Sequence, residues 1–203
     1  IFKIFFKINS KIDFFYSINI SKSYIQNFLA TIATLNSFFD LNKLSKKIFL
    51  DFKIPEGRGD ISKLKLGKKL INFIDESYNS NPLSLKTALK NFGNLKLSKV
   101  KKHLLLGDML ELGHHSVSQH CKIGEIINEL DIDKVHIIGR DIKKTYQILK
   151  NYKKGLVLNN TLEINNLINK ELSNNDYLMI KGSNSTGLYK ASQILKKRRL
   201  NVV

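Results

Sequence analysis

The stretch that decides the fold is Ile74-Asp75-Glu76-Ser77-Tyr78-Asn79-Ser80-Asn81-Pro82. It begins with apolar residues typical of a strand and passes into polar residues that favour a turn. Asn81 and Pro82 then predict a helix start, because Asn is a favoured N-cap and Pro is tolerated in the first helical turn. Further along, Leu106-Gly107-Asp108-Met109-Leu110-Glu111-Leu112-Gly113 follows the same plan. Two strands that end in polar residues predict a binding site at the carboxyl edge of an open α/β sheet.

The segments around these two stretches alternate between strand and helix patterns. Residues 61–66 and 70–74 predict a hairpin that turns at Gly67. Further strands are predicted at 103–106, 134–138, 156–158 and 177–180, and helices at 82–92, 117–130, 142–151, 162–172 and 187–197. This alternation predicts a mostly parallel sheet covered by helices on both faces.

The N-terminal quarter of the chain has a different pattern. Residues 1–16 are rich in Phe and Ile but interrupted by charged residues, which indicates strand fragments, and no run approaches the ~18–20 apolar residues of a membrane span. Helices are predicted at 21–39, with Ser23 as cap, and at 42–52. Residues 55–60 are interpreted as a linker. Since the first residue is Ile1, we expect a chain truncated at its N-terminus.

The formal net charge of the 203 residues is +17, but the lysines are scattered. A compact basic run occurs only at Lys196-Lys197-Arg198-Arg199, which we interpret as a frayed helix end, so no nucleic-acid partner is expected. The single cysteine, Cys121, excludes an intramolecular disulfide and is interpreted as a buried apolar residue. No CxxC or HxxxH spacing occurs, so no metal site is expected.

Several polar residues carry candidate chemistry. A carboxylate at Asp75 or Glu76 can accept hydrogen bonds from ribose hydroxyls. Arg58 lies between Gly57 and Gly59, where the backbone can approach a ligand and the guanidinium can bind phosphate. Lys181-Gly182-Ser183 leaves the last predicted strand as an anion-binding junction would. No GxxxxGK[ST] P-loop pattern occurs in the chain.

The segment after the strand at 103–106 combines acids and large apolar residues. Asp108 and Glu111 could shape a substrate pocket or position an ammonium group. Met109 and Leu112 could instead anchor the loop to the core, and His120 is interpreted as a capping or packing residue rather than a base.

These motifs resemble those of a known family. Asp75-Glu76-Ser77-Tyr78-Asn79-Ser80-Asn81-Pro82 resembles the D-D-S-Y-N-A-N-P motif of the Mur ligases of peptidoglycan synthesis, and the segment from Leu106 to Gly113 matches the family sequence L-G-D-M-L-E-L-G. Both are most similar to the members that add D-alanyl-D-alanine. Gly57-Arg58-Gly59-Asp60 is similar to G-R-G-E, and Lys181-Gly182-Ser183 matches K-G-S.

The resemblance implies a fold and an activity. Residues 56–203 would form the α/β, Rossmann-like C-terminal Mur ligase domain, and residues 1–55 the last part of a central ATP-binding domain. The activity implied is ATP-dependent addition of D-alanyl-D-alanine to UDP-N-acetylmuramoyl-tripeptide through an acyl phosphate, in the cytoplasm. ATP and Mg²⁺ would be the cofactors, bound mainly by the part of the central domain that precedes these residues in the family. We therefore expect no catalytic residue or metal ligand here, and no activity of this piece alone.

The resemblance also assigns roles to residues. Asn27 would contact adenine, Arg58 the nucleotide, and Glu76, with Asp75 as second choice, the ribose. The remaining candidates are expected on the substrate side: Asp108, Glu111, Asn79 and Lys181. The chain departs from the family where Ser23-Tyr24 replaces His-Asn and where Glu76 is one methylene longer than Asp.

Other interpretations stay open at this point. The chain could be a stand-alone nucleotide-binding module without catalysis, or part of another Mur-type or folylpolyglutamate-type ligase. A monomer without membrane insertion is expected in each case.

Overall fold

A computed structural model describes residues 1–18, 22–52 and 55–197, apart from the side chains of residues 22 and 23. The predicted cap at Ser23 therefore lies outside the described side chains. The chain divides into two compact units, Ile1–Lys53 and Ile54–Val203.

The first unit is a small hairpin covered by a helix. Strands β1 (Phe2–Ile8) and β2 (Lys11–Ser17) are antiparallel and α1 spans Lys22–Asn36. The hairpin turns at Asn9 and Ser10, whose φ angles of 46° and 66° are those of a two-residue turn that matches the strand twist. Phe6, Phe15 and Phe28 lie at the centre of its apolar core. The predicted strand fragments and first helix are confirmed.

The predicted helix at 42–52 is wrong. Only a 3₁₀ turn forms, at Leu41–Lys43, and turns follow it. The segment forms separate turns, such as the one closed by the amide of Ile48 and the carbonyl of Ser45 at 3.0 Å, and the carbonyl of Lys46 accepts from the amide of Tyr16 in the hairpin at 2.8 Å. The ammonium group of Lys46 also lies 2.5 Å from the carboxylate of Asp13.

The second unit is built on a six-stranded sheet. Its strands, in chain order, are β3 (Asp60–Leu66), β4 (Lys69–Glu76), β5 (Lys102–Gly107), β6 (Lys134–Ile138), β7 (Lys154–Leu158) and β8 (Tyr177–Lys181). The spatial order is β3-β4-β8-β5-β6-β7. β3 runs antiparallel to β4, and the other pairs are parallel.

Helices cover both faces of this sheet. They are α2 (Pro82–Gly93), α3 (Ser116–Glu129), α4 (Lys143–Ile148), α5 (Ile164–Glu171) and α6 (Leu188–Lys196). One apolar core joins α2 and α3 to the sheet through residues such as Leu89, Leu104 and Ile127. The other joins α5 and α6 through residues such as Leu167 and Ile180. The predicted α/β architecture is confirmed.

One helix is shorter than its periodicity predicted. α4 ends at Ile148 rather than near 151, because the side chain of Asn128 binds the chain there. Asn128 donates to the carbonyl of Ile148 at 3.0 Å and accepts from the amide of Lys150 at 2.9 Å. Within the described ranges, no helix has the length and apolarity needed to cross a bilayer.

Candidate functional site

The carboxyl ends of the central strands bring the two deciding stretches together. Glu76 at the end of β4 is in register with Lys181 at the end of β8, and Lys181 is in register with Leu106 of β5. The loops that follow these strands therefore start side by side. This is the edge at which open α/β sheets bind ligands.

The helix after β4 is fixed as predicted. The side chain of Asn81 accepts from the amide of Ser84 at 2.8 Å, while the Ser84 hydroxyl accepts from the amide of Asn81 at 3.1 Å. Pro82 occupies the first turn of α2. This reciprocal cap holds the end of the polar loop from Ser77 to Ser80 in place.

The turn at Gly57-Arg58-Gly59 is hydrogen-bonded to the end of β4. The amide of Gly59 donates to the carbonyl of Asp75 at 2.7 Å, and the amide of Tyr78 donates to the carbonyl of Gly57 at 3.1 Å. Gly57 has a φ of 75°, and a Cβ atom there would lie 2.9 Å from the amide nitrogen of Tyr78. The turn and the end of β4 are thus hydrogen-bonded to each other at a distance that requires glycine at position 57.

Arg58 presents its guanidinium above an aromatic ring. Its central carbon lies 4.5 Å from the ring centroid of Tyr78, within the range of a cation–π contact. Tyr78 in turn packs edge-on against Tyr189 of α6, with 5.5 Å between ring centroids. The Arg58 side chain is exposed, so this stack orients a cation that faces solvent.

Glu76 and Lys181 form a partly buried pair beside this turn. The Lys181 ammonium lies 3.5 Å from the Glu76 carboxylate and donates to the carbonyl of Asn79 at 3.0 Å. Burial raises the pKa of Glu76, and the charge of Lys181 opposes that shift. Burial likewise lowers the pKa of Lys181, opposed by Glu76. The Glu76 side chain stays 25% exposed, against 2% for Lys181, so Glu76 is the member that a ligand can reach.

Asp75 points into the protein instead. It is fully buried and accepts from the amide of Ser77 at 3.1 Å and from the Ser77 hydroxyl at 2.5 Å. Its second oxygen forms an ion pair with Lys196. Of the two acids considered for ribose, the geometry therefore favours Glu76.

The loop after β5 is occupied with structural contacts. Both carboxylate oxygens of Asp108 accept from backbone amides, of Ile142 at 2.7 Å and Arg140 at 3.0 Å. Met109 is buried in the core and Leu112 packs against it, as expected of an anchored loop. Asp108 therefore holds the loop between β6 and α4, and these contacts lend no support to a direct ligand role.

Glu111 differs from the other residues of this loop. Its side chain is exposed, and its φ of 62° is rare for a residue with a Cβ atom. Strained backbone of this kind concentrates at ligand-binding loops. Glu111 is thus the exposed acid of this loop, and its predicted substrate contact stays a prediction.

Asn79 and Asn27 occupy exposed positions in different units. The side chain of Asn79 accepts from the amide of Ser80 at 2.8 Å, which shapes the loop after β4. Asn27 lies on α1 with an exposed side chain. Their predicted ligand contacts stay predictions.

His120 is a packing residue, as interpreted from the sequence. It is fully buried; its Nε2 accepts from the amide of Met109 at 3.2 Å, and its Nδ1 lies 2.8 Å from the carbonyl of Ser116. Cys121 is half-buried with a free thiol, so the expectation of a buried residue was wrong. No cluster of three metal-ligating side chains occurs among residues 1–18, 22–52 and 55–197.

The basic run at the end of the chain is not simply a frayed helix end. Lys196 is buried and paired with Asp60 at 2.6 Å and with Asp75. Arg198 and Arg199 lie outside the described residues. The sequence carries no local signal for this pairing, because Asp60 and Asp75 are more than a hundred residues from Lys196 in the chain.

Ser183, which the sequence indicated only as part of the Lys181-Gly182-Ser183 junction, ties three loops together. Its hydroxyl accepts from the amide of Leu110 at 2.9 Å and donates to the carbonyl of Ser80 at 3.2 Å. Its amide donates to the carbonyl of Asp108 at 2.9 Å. A serine directly after a strand-ending Lys-Gly pair was the available signal.

The family follows from a match across most of the second unit. The model of the family described as "Mur ligase, glutamate ligase domain" matches residues 62–184. The chain belongs to this family. The matched range covers β4, β5 and β8 and the loops after β4 and β5, and it begins after the turn at Gly57-Arg58-Gly59.

Curated relatives agree with this membership. The chain is 32% identical over 188 residues to a UDP-N-acetylmuramoyl-tripeptide–D-alanyl-D-alanine ligase of Buchnera aphidicola, covering 89% of this chain and 39% of the relative. It is 25% identical over 171 residues to the enzyme of the same name in Rickettsia prowazekii, covering 84% of this chain and 37% of the relative. This member of the family thus spans about two fifths of these relatives.

The fold is shared with MurF structures. The chain superposes on the MurF ligase of Thermotoga maritima, solved in complex with ADP, with a TM-score of 0.72 at 18% identity, over 97% of this chain and 43% of that one. A MurF structure from Acinetobacter baumannii gives a TM-score of 0.73 at 21% identity, over 96% and 42%.

Proposed function

We propose that this chain is part of an ATP-dependent ligase that adds D-alanyl-D-alanine to UDP-N-acetylmuramoyl-tripeptide. The observation that carries the proposal is the 32% identity to a ligase of that name over 89% of this chain. The site supports it, because the loops that form it are those that carry the two family-like motifs.

The second unit contributes groups suited to a nucleotide. The exposed guanidinium of Arg58 can bind phosphate oxygens in a bidentate manner. The accessible carboxylate of Glu76 can accept from a ribose hydroxyl, and Lys181 holds that carboxylate at the strand end. Glu111 would face the amine substrate. Asn79 would contribute on the same side, mainly by shaping the loop after β4. Lys181 would hold the loop after Glu76 in place rather than bind the substrate itself.

The first unit would be the end of the ATP-binding domain, with Asn27 contacting adenine. The described residues offer no set of carboxylates that fits a magnesium site, so we assign the ion no step here. Mg²⁺, where bound in the complete ligase, would supply positive charge to phosphoryl oxygens of ATP. The residues of this chain would bind and orient the nucleotide, in the cytoplasm, where ATP and UDP-linked precursors occur.

The test is turnover by the complete gene product that contains this chain. ADP release is measured with UDP-N-acetylmuramoyl-tripeptide and ATP, with and without D-alanyl-D-alanine, and with single amino acids as alternative acceptors. We expect ADP release that requires the dipeptide and formation of the pentapeptide product. Release with single amino acids alone would assign the chain to another Mur-type ligase. Nucleotide binding without turnover would make it a binding module.

A further inference from the structure

Lys196 connects the two elements that face the nucleotide in the proposed function. It lies at the end of α6, is 7% exposed, and its ammonium group lies between two carboxylates. One belongs to Asp60 at the start of β3, 2.6 Å away, and the other to Asp75 near the end of β4. Burial works against this charge, but hydrogen bonds and charges of Asp60 and Asp75 outweigh it and hold the pKa of Lys196 above its usual value.

Each carboxylate in turn holds backbone of the site. Asp60 accepts from the amide of Gly57 at 2.9 Å, which closes the turn that presents Arg58. Asp75 accepts from the amide and hydroxyl of Ser77, the residue directly after Glu76. A cation between them locks turn and strand end in one geometry, since leaving a buried carboxylate unpaired is costly.

We infer that Lys196 is a positioning residue that sets Arg58 and Glu76 relative to each other for nucleotide binding. It touches no ligand and acts through Asp60 and Asp75. The inference rests on the proposed function for its kinetic test, but the local order of the site can be measured without turnover.

The kinetic test compares three lysine variants in the complete gene product. Lys196→Met should raise the KM for ATP about tenfold or more, the change that follows from losing ~1.4 kcal/mol of nucleotide binding. The KM for D-alanyl-D-alanine should stay unchanged. Lys190→Met, on the exposed side of the same helix, should change neither constant.

Lys102→Met is the control for loss of a buried lysine. The Lys102 side chain is 3% exposed and pairs with Asp131 at 2.8 Å. Lys102 is the first residue of β5, so it lies at the amino ends of the parallel strands, away from the carboxyl ends that form the site. Its loss should lower the thermal midpoint and leave the KM for ATP unchanged. If Lys102→Met and Lys196→Met raise that KM equally, or if neither does, the inference is overturned.

Two further measurements keep the test decisive. Lys196→Met/Asp75→Asn removes the buried unpaired charge and should recover stability without recovering the KM for ATP, because Asp60 and the turn are still released. Amide hydrogen exchange by NMR on this chain should show faster exchange at Gly57 and Ser77 in Lys196→Met and not in Lys102→Met. Absence of turnover in the wild type would refute the proposed function, while unchanged exchange at both amides would refute the positioning role.

Discussion

Acidification should destabilise the sheet through the buried imidazole of His136. This side chain is fully buried on β6, where its Nδ1 accepts from the amide of Leu156 at 2.9 Å and its Nε2 lies 3.2 Å from Nδ1 of His103. Asp176 lies 3.5 Å from the other side of the His103 ring. The Leu156 bond leaves Nε2 of His136 as the donor, so both rings are hydrogen-bonded in their neutral forms.

The size of the effect follows from the pKa shift. Burial, the neighbouring His103 and the charge of Lys134 lower the pKa of His136 from 6.5 to about 3. The unfolded chain therefore binds more protons than the folded one between these values, and stability falls as the pH drops below 6.5 towards 3. Between pH 7 and pH 5 this linkage removes about 2 kcal/mol of unfolding free energy. The lowered pKa of His103, caused by burial and opposed by Asp176, acts in the same direction.

The assay is urea unfolding followed by far-ultraviolet circular dichroism at pH 5, 6 and 7. His136→Gln should be less stable than the wild type at pH 7, and the difference should shrink by about 2 kcal/mol at pH 5, because the variant has no proton to gain at this position. His114→Gln removes an exposed imidazole and should reproduce the pH dependence of the wild type. A pH dependence in His136→Gln equal to that of the wild type would refute the reasoning.

Two further predictions concern the loops of the site. Ser183→Ala should cost about 1–3 kcal/mol in urea unfolding, because the amide of Leu110 loses its acceptor and the carbonyl of Ser80 loses its donor. Ser183→Thr keeps the hydroxyl and should recover part of the loss. Asp108→Ala should cost about 2–3 kcal/mol, because two backbone amides lose a charged acceptor, and faster amide exchange should appear at Arg140 and Ile142; unchanged exchange there would contradict the capping role.

The sequence predicted the architecture well because its signals were local. Alternation of short apolar strands with amphipathic helices gave the order and type of the elements in the second unit, and Asn81 and Pro82 marked a helix start to the residue. The failure at 42–52 has a physical reason, since the segment bonds to β2 through Lys46, a contact that local periodicity does not contain.

The site was only partly predictable for the same reason. Strand ends identified Glu76, Asp108 and Lys181 as neighbours, but not what each side chain binds. Asp75 and Glu76 are adjacent in sequence and point in opposite directions, as successive strand residues do, so one is buried and the other accessible. The role of Lys196 depends on a helix that returns to β3 and β4 after more than a hundred residues, and no local pattern carries that information.

The proposal that Glu76 holds the ribose of ATP is central to this account, and a cycle of enzyme and nucleotide variants tests it most directly. The KM for ATP, 2′-deoxy-ATP and 3′-deoxy-ATP is measured for the wild type and for Glu76→Gln of the complete gene product. A hydrogen bond to a charged group is worth about 1.5–3 kcal/mol, so loss of the hydroxyl that Glu76 binds should raise the wild-type KM about ten- to a hundredfold. Glu76→Gln should show a much smaller penalty for the same deoxynucleotide. An equal penalty in the wild type and in Glu76→Gln, for both deoxynucleotides, would contradict the account.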